Sequence, residues 1–325
     1  MADVLVVNAG STSLKLDVVS PDEESRRIAS YDQVIGDVGA VGHRIVHGGA
    51  RFKAPVVIDE EVEGEIADLA LIAPLHNTPA LRALEEARHV LPGVPHVAVF
   101  DTAFHSTLPD EAAVYAVPRR WSEEWGVRRF GFHGLSVQWS AERVPVPRLV
   151  VCHLGGGCSV TAVLDGRSVD TSMGFSPLEG VPMAARSGSV DPGILLFLLR
   201  EKFLTLEELD DALEHDSGLK ALGGLQSRLG FGIYTHRIAA TVAAMTSALG
   251  GLDGLVFTAG VGENVPAVRA EICRRLAFLG IELDAAANES AAPDVDIATQ
   301  ASAVRVVVVA AREEIVVARG VRALL

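Results

Sequence analysis

The sequence predicts an α/β protein of two related halves, and two observations carry that reading. Apolar, β-prone runs alternate with helical patterns along the whole chain, the grammar of sheets covered by helices rather than of a helical bundle. A strand–turn–strand segment also occurs twice, as VLVVNAGSTSLKLDVV at residues 4–19 and RLVVCHLGGGCSVTAVLDG at residues 148–166. The two agree in pattern, not in identity, and read as an internal duplication whose halves each open on a β-hairpin. At 325 residues the chain exceeds one ordinary core and suits two domains. An apolar content of 49 % is enough to fill both.

The remaining elements follow in order. Residues 78–91 place apolar side chains at helical spacing and stop at Pro92-Gly93. The strand HVAVF ends at Phe100, and a short hinge is expected at residues 101–104, because no Ser/Pro-rich linker separates the halves. Past the second hairpin, Thr205 and Glu208 form a capping box that starts a helix over residues 205–214. Residues 233–250 are the most apolar helical stretch, and His236 and Arg237 mark it as a buried core helix rather than a membrane span. GLVFTAGVGENVPAVRAEI at residues 254–272 runs from strand through a Gly-rich loop into a helix, with Pro266 in the first turn. Backbone N–H groups after Gly262 are expected to face an anion there. VRVVVVAAREEIVVARGVRAL at residues 304–324 reads as a strand running into a closing helix.

Composition narrows the function. A net charge of −14 without a basic run argues against nucleic-acid binding. A phosphorylated small ligand would need Arg, Lys, metal and backbone N–H groups gathered locally against that field. Cys152, Cys158 and Cys273 are odd in number and lack C-x-x-C spacing, so neither a disulfide framework nor a zinc site is expected, and the cytoplasm is the expected compartment. MADVLVVNAG lacks the basic and apolar regions of a signal peptide, and no membrane partner is expected.

The loops carry the chemistry. NAGSTSLK matches neither a P-loop nor a Rossmann fingerprint, and no nucleophile elbow or metal-ligand His/Cys spacing occurs. The first turn is either a plain hairpin or a phosphate clamp in which N–H and hydroxyl groups act with Lys15. Further on, GHRIVHGG, APLHNTPA, VFDTAFH, RRFGFHGLS and VCHLGGG set charged or imidazole residues beside glycine. Arg44, His76, Asp101, His133, His153 and Arg186 each end an apolar run or sit in a Gly-containing turn, where α/β active sites assemble.

In the order NAGSTSLK, GHRIVHGG, APLHN, FDTAFH, RRFGFHG, HLGGG, DTSMGFSPLEG, RSG with DP, FTAGVGEN and a closing REEIVVAR, these runs resemble the acetate kinase (acetokinase) family of the sugar kinase, heat-shock chaperone and actin superfamily. The resemblance spans essentially the whole chain. It implies two RNase H-like lobes, a duplicated actin-like ATPase fold closing over a cleft. Residues 1–104 with 315–325 would form the acetate-side lobe, and 105–314 the nucleotide-binding lobe through which a homodimer forms. The implied reaction is reversible, Mg²⁺-dependent transfer of the ATP γ-phosphoryl group to acetate, giving acetyl phosphate and ADP.

The resemblance also implies roles. Arg44 and Arg186 match the family's active-site arginines, with Arg44 on the carboxylate and both on the transferring group. His133 matches the histidine that donates to an equatorial oxygen, and His76 and His153 match supporting pocket histidines. Asp101 matches an acidic residue labelled a proton donor or acceptor. A carboxylic acid near the reference value of about 4.3 is already ionised at neutral pH, so the acceptor needs no general base, and Asp101 is expected to orient an arginine or a metal-bound water. Asn8 and Glu313 match the residues for Mg²⁺, with Mn²⁺ the alternative ion. Val46, Leu75, Phe132 and Pro177 match the pocket for the acetate methyl group. Ser11, Ser13 and Lys15, His153, Leu154 and Gly155 to Gly157, and Gly260, Val261, Gly262, Glu263 and Asn264 match the phosphate and nucleotide side.

Departures fall on that side. Gly156 stands where the family usually has Asn, and Ala184 and Ser189 replace a usual Gly and Asp. The family's Ser-Ser-Asp-x-Arg adenosine motif is missing, with Ser227 and Arg228 its remnants. These departures fit, besides an ATP-dependent acetate kinase, an acyl-phosphate kinase using pyrophosphate or another nucleotide, and a ligand-binding member without turnover.

Overall fold

The computed structural model describes residues 2–10, 14–34, 38–70 and 74–325, the side chains of residues 74–76 excepted. The chain divides into two compact units. Met1–Ser106, Phe132–Trp139 and Arg312–Leu325 form the first, and Thr107–Gly131 and Ser140–Ala311 the second.

The first unit is built on β1 (Asp3–Ala9), β2 (Leu14–Val19), β3 (Ser25–Ile28), β4 (Val38–Ile45), β5 (Val56–Val57) and β6 (His96–Phe100), in spatial order β3-β2-β1-β4-β6-β5. β1, β4 and β6 are parallel and the flanking pairs antiparallel. Parallel strands covered on both faces read as continuous apolar runs, as VLVV and HVAVF do. Helices Pro74–Val90 and Glu313–Leu324 pack on β1 and β4. Leu5, Ile45, Ile66, Leu84 and Phe100 are fully buried in this core, each contributing about 1.5–3 kcal/mol.

The second unit repeats the plan. β7 (Arg148–Leu154), β8 (Cys158–Leu164), β9 (Arg167–Thr171), β10 (Gly254–Thr258), β11 (Val295–Asp296) and β12 (Arg305–Val308) lie in order β11-β12-β10-β7-β8-β9. Read from the other edge, the order and every strand sense are those of the first sheet. This is the duplicated α/β architecture that the repeated hairpin predicts.

Helix Arg228–Leu249 packs on β7, β8 and β9. It begins ahead of the expected residue 233 because Ser227 caps it through Gly230 N–H, and it ends at Gly250 in the left-handed conformation. Among the described residues no helix is long and apolar enough to cross a membrane. Helix Leu206–His215 carries the expected capping box of Thr205 and Glu208.

Two segments group differently from the expected lobes. Phe132–Trp139 belongs to the first unit, because Gly134 N–H donates to the Asp101 carbonyl at 3.0 Å. Arg312–Leu325 joins it whole, because Glu313 pairs with Arg44 in that unit.

Candidate active site

In the first unit, adjacent parallel strands bring their carboxyl-terminal ends together, the usual ligand edge of such sheets. Asn8 near the end of β1 lies opposite Arg44 on β4, and Asp101 follows β6 directly. Arg44 is the hub. One Nη donates to Asn8 Oδ1 at 3.0 Å, the other bonds Asp101 Oδ2, and Nε lies 3.5 Å from Glu313 Oε2. Asn8 Nδ2 in turn donates to Glu313 Oε2 at 3.4 Å. Glu313 opens helix Glu313–Leu324, where the helix dipole favours a carboxylate.

Burial sets the electrostatics. Asp101 is fully buried, and desolvation pushes its carboxyl up to about 6 against the pull of Arg44. Burial alone would lower the Arg44 guanidinium, but Asp101 and Glu313 outweigh it and raise it above its ordinary value. Arg44 is therefore a permanent, immobilised cation.

The oxygen donors here are Asn8 Oδ1 and the carboxylates of Glu313 and Asp101, and Asp101 Oδ1 is buried without a hydrogen-bond partner. That donor set fits a hard divalent ion held by one or two carboxylates, with water and phosphate completing its shell. Among the described residues no group of three or more His, Cys, Asp or Glu side chains gathers as a metal site.

The other expected residues of this unit are placed as follows. His133 adopts the left-handed conformation, φ 59°, immediately before helix Gly134–Arg143. Val46 and Phe132 are buried, with the Phe132 carbonyl held by His105 Nε2 at 3.0 Å. Lys15 is exposed on β2, directly opposite Asn8. Leu75 and His76 open helix Pro74–Val90, but their side chains, like Ser11 and Ser13 altogether, lie outside the described residues.

The second unit holds the rest. β7 delivers buried His153 and Leu154 into a tight turn, in which Gly155 N–H donates to the Gly157 carbonyl at 3.0 Å. Gly156 carries no positive φ, and a Cβ built on it meets nothing within 4 Å, so the turn does not require glycine there. The Gly156 carbonyl accepts from Ala184 N–H at 3.2 Å, which ties the turn to the segment carrying Arg186. Arg186 Nε donates to Glu214 Oε2 at 2.7 Å. Pro177 is buried in this unit.

The Gly-rich loop expected after β10 is instead a short helix, Ala259–Asn264. Ala259 takes a left-handed conformation, φ 66°, and Glu263 Oε1 accepts from both Ala259 N–H and Ala311 N–H. Buried Arg269 fixes the same turn through the Gly262 and Glu263 carbonyls. Glu263 is thus occupied with backbone, while Gly260 and Asn264 are exposed.

Sequence reading missed three supports. Asn77 and His47 exchange side-chain-to-backbone bonds at 3.2 and 3.1 Å beside Val46. Gly134 and Glu214 were likewise not singled out. Asn77 adjoins His76 in APLHN, and Glu214 is an acid in the last turn of a helix, where the dipole disfavours it. Those were the available signals.

A sequence profile of the acetokinase family matches residues 27–319. An acetate kinase of Nostoc punctiforme is 46 % identical over 309 residues, covering 88 % of this chain and 76 % of that protein. Among solved structures, a propionate kinase of Francisella tularensis gives a TM-score of 0.91 at 31 % identity, over 98 % of this chain and 99 % of that one. An acetate kinase of Porphyromonas gingivalis gives 0.86 at 31 % identity over 100 % of each chain. A profile spanning nearly the whole sequence, a relative of this identity and solved structures of the same fold lead to one conclusion: the chain belongs to the acetokinase family.

Proposed function

We propose that the protein transfers the γ-phosphoryl group of ATP reversibly to acetate, giving acetyl phosphate and ADP. The observation that carries this reading is the charged Arg44 held by Asn8, Asp101 and Glu313 at the ends of parallel strands. Acetate arrives ionised, so one of its oxygens bonds to the γ-phosphorus as the bond to the bridging oxygen of ADP breaks. No proton need move. What the step requires is alignment and neutralisation of charge spread over the equatorial oxygens. Arg44 holds the acetate carboxylate, Arg186 and His133 donate to the transferring group, and Asp101 orients Arg44. Val46, Leu75, His76 and Phe132 are assigned to the acceptor by the family resemblance, as is Pro177 of the second unit. Asn8 and Glu313 would hold Mg²⁺, or Mn²⁺ in its place, which when bound neutralises phosphate charge.

Donor recognition falls to Lys15 with Ser11 and Ser13, to His153–Gly157, and to Gly260–Asn264. A homodimer through the second unit is supported by helix Pro192–Arg200, whose Ile194, Leu196 and Phe197 are exposed in the single chain. The buried, unpaired thiols of Cys152, Cys158 and Cys273 accord with a reducing cytoplasm.

A pH profile follows from Asp101. Its raised value means that kcat/KM declines as pH falls through about 6, while acetate is still ionised. The sign for stability is opposite: because the folded state binds the Asp101 proton more tightly than the unfolded state, this group's contribution to stability increases on acidification below about 6. An acid limb that persists unchanged in Asp101→Asn would refute the assignment.

The deciding experiment traps acetyl phosphate with hydroxylamine, using acetate and Mg²⁺ with ATP, GTP or pyrophosphate, and Arg186→Ala as control. Product with ATP, lost in the variant, establishes the proposed reaction. Product with another donor alone assigns the altered nucleotide side to a different donor, and no product from folded protein leaves a ligand-binding member.

A further inference from the structure

We infer that Glu214 is a positioning residue that aims Arg186 at the transferring phosphoryl group, an inference that rests on the role proposed for Arg186. Arg186 lies between β9 and helix Pro192–Arg200, in a stretch with no helix or strand of its own. Its backbone alone therefore does not fix its side chain. Glu214 supplies a constraint: its Oε2 accepts from Arg186 Nε at 2.7 Å, and the Glu214 and Arg186 side chains are only 12 % and 16 % exposed. A guanidinium is planar, so a bond at Nε sets the direction of the whole fork.

The position of Glu214 is costly to the element that carries it. It sits in the last turn of helix Leu206–His215, where the carbonyl end of the dipole repels a carboxylate. Local helix stability does not account for an acid there; a cation across the loop does.

The backbone around the pair is stitched to match. Ser217 N–H donates to the Ala185 carbonyl at 2.8 Å, Lys220 N–H to Ala184 at 2.8 Å, Leu219 N–H to Met183 at 2.9 Å, and Ser187 N–H to Leu213 at 3.3 Å. Gly218 adopts φ +60°, and a Cβ on it would stand 2.5 Å from the Arg186 carbonyl oxygen. The segment bearing Glu214 thus clasps the segment bearing Arg186 along its length. Through the Ala184 to Gly156 bond, the clasp also reaches the glycine turn after β7. The arrangement mirrors Arg44 and Asp101 in the first unit, where a carboxylate likewise holds an arginine.

The test compares wild type, Glu214→Gln, Glu214→Asp, Arg186→Ala and the double variant Arg186→Ala/Glu214→Gln. It reads kcat, both KM values, thermal unfolding and hydrogen exchange at Arg186 Nε–H by NMR. Glu214→Gln is expected to lower kcat about a hundredfold, the scale of an ångström's misplacement, with both KM values little changed. Its unfolding temperature is expected to fall modestly, because losing the largely buried ion pair outweighs the removal of an acid from a helix C-terminus, while the drop in kcat is far larger than that loss of stability explains. Glu214→Asp should fall between, and the double variant should be no slower than Arg186→Ala alone.

Wild-type kcat in Glu214→Gln, a loss that only tracks lowered stability, or effects that multiply in the double variant would each overturn the inference. If wild type shows no turnover with any donor, the proposed reaction fails on its own. Exchange then still decides the contact: protection of Arg186 Nε–H in wild type and its loss in Glu214→Gln is expected, and equal exchange in both overturns it.

Discussion

Arg44→Gln is expected to lose turnover by about a thousandfold or more, the scale at which a phosphoryl-neutralising arginine contributes, and to lose stability as well. The second effect comes from what remains. Asp101 is fully buried and its principal bond is to Arg44, so the substitution strands a carboxyl inside the protein. Breaking a buried pair from one side costs about 3–5 kcal/mol. Protonation relieves part of that, because burial already holds the Asp101 carboxyl up near 6. The double variant Arg44→Gln/Asp101→Asn should therefore recover most of the stability and none of the activity. Denaturant unfolding with the hydroxylamine assay checks both. Retention of kcat within about tenfold in Arg44→Gln would remove Arg44 from the transfer step.

Gly134→Ala is expected to be the most damaging small substitution in the first unit. A Cβ there would stand 2.0 Å from the Asp101 carbonyl oxygen and 2.9 Å from Phe104 Cβ. The first of these is backbone and cannot swing aside. Either the start of helix Gly134–Arg143 lifts away, breaking the 3.0 Å bond from Gly134 N–H to the Asp101 carbonyl, or the turn after β6 moves. His133, already left-handed at φ 59°, moves with it in the first case and Asp101 in the second. The expected loss exceeds about 4 kcal/mol, the range of diagnostic single substitutions, and any folded fraction should be impaired in turnover. An alanine variant with wild-type unfolding would show that the two segments are not in this contact.

Much of the architecture was legible because parallel strands need continuous apolar runs and hairpins need turn residues. VLVVNAGSTSLKLDVV and RLVVCHLGGG carry both, and they became the central strands of matching sheets. Arg44 and Asp101 were legible for a related reason: each stands at the end of such a run, where a strand hands over to a loop. The Gly260–Asn264 segment misled because its glycines read as a loop. A left-handed Ala259, together with Glu263 and Arg269 bonding backbone, makes it helical, and those partners lie outside any local window. Glu214 was illegible as a partner of Arg186 because 28 positions separate them and only the clasp of two segments joins them. The grouping of Phe132–Trp139 with the first unit rests on Gly134 packing against a carbonyl, a contact that no residue pattern announces.

Helix Glu313–Leu324 has a consequence for how the chain matures on the ribosome. Its buried face of Ile315, Val316, Val317, Ala318 and Val321 covers β1 and β4, its Arg319 grips Glu23 and its Arg322 grips the Val19 and Ser20 carbonyls. All of those partners are translated early, yet the helix emerges only after the entire Ser140–Ala311 stretch of the second unit. Translation thus delivers the second unit's main segment before the first unit can be sealed. Until then β1 and β4 have the cover of helix Pro74–Val90 but not that of helix Glu313–Leu324, and Arg44 lacks Glu313, so the arginine cluster becomes complete only after the second unit's main segment has been made.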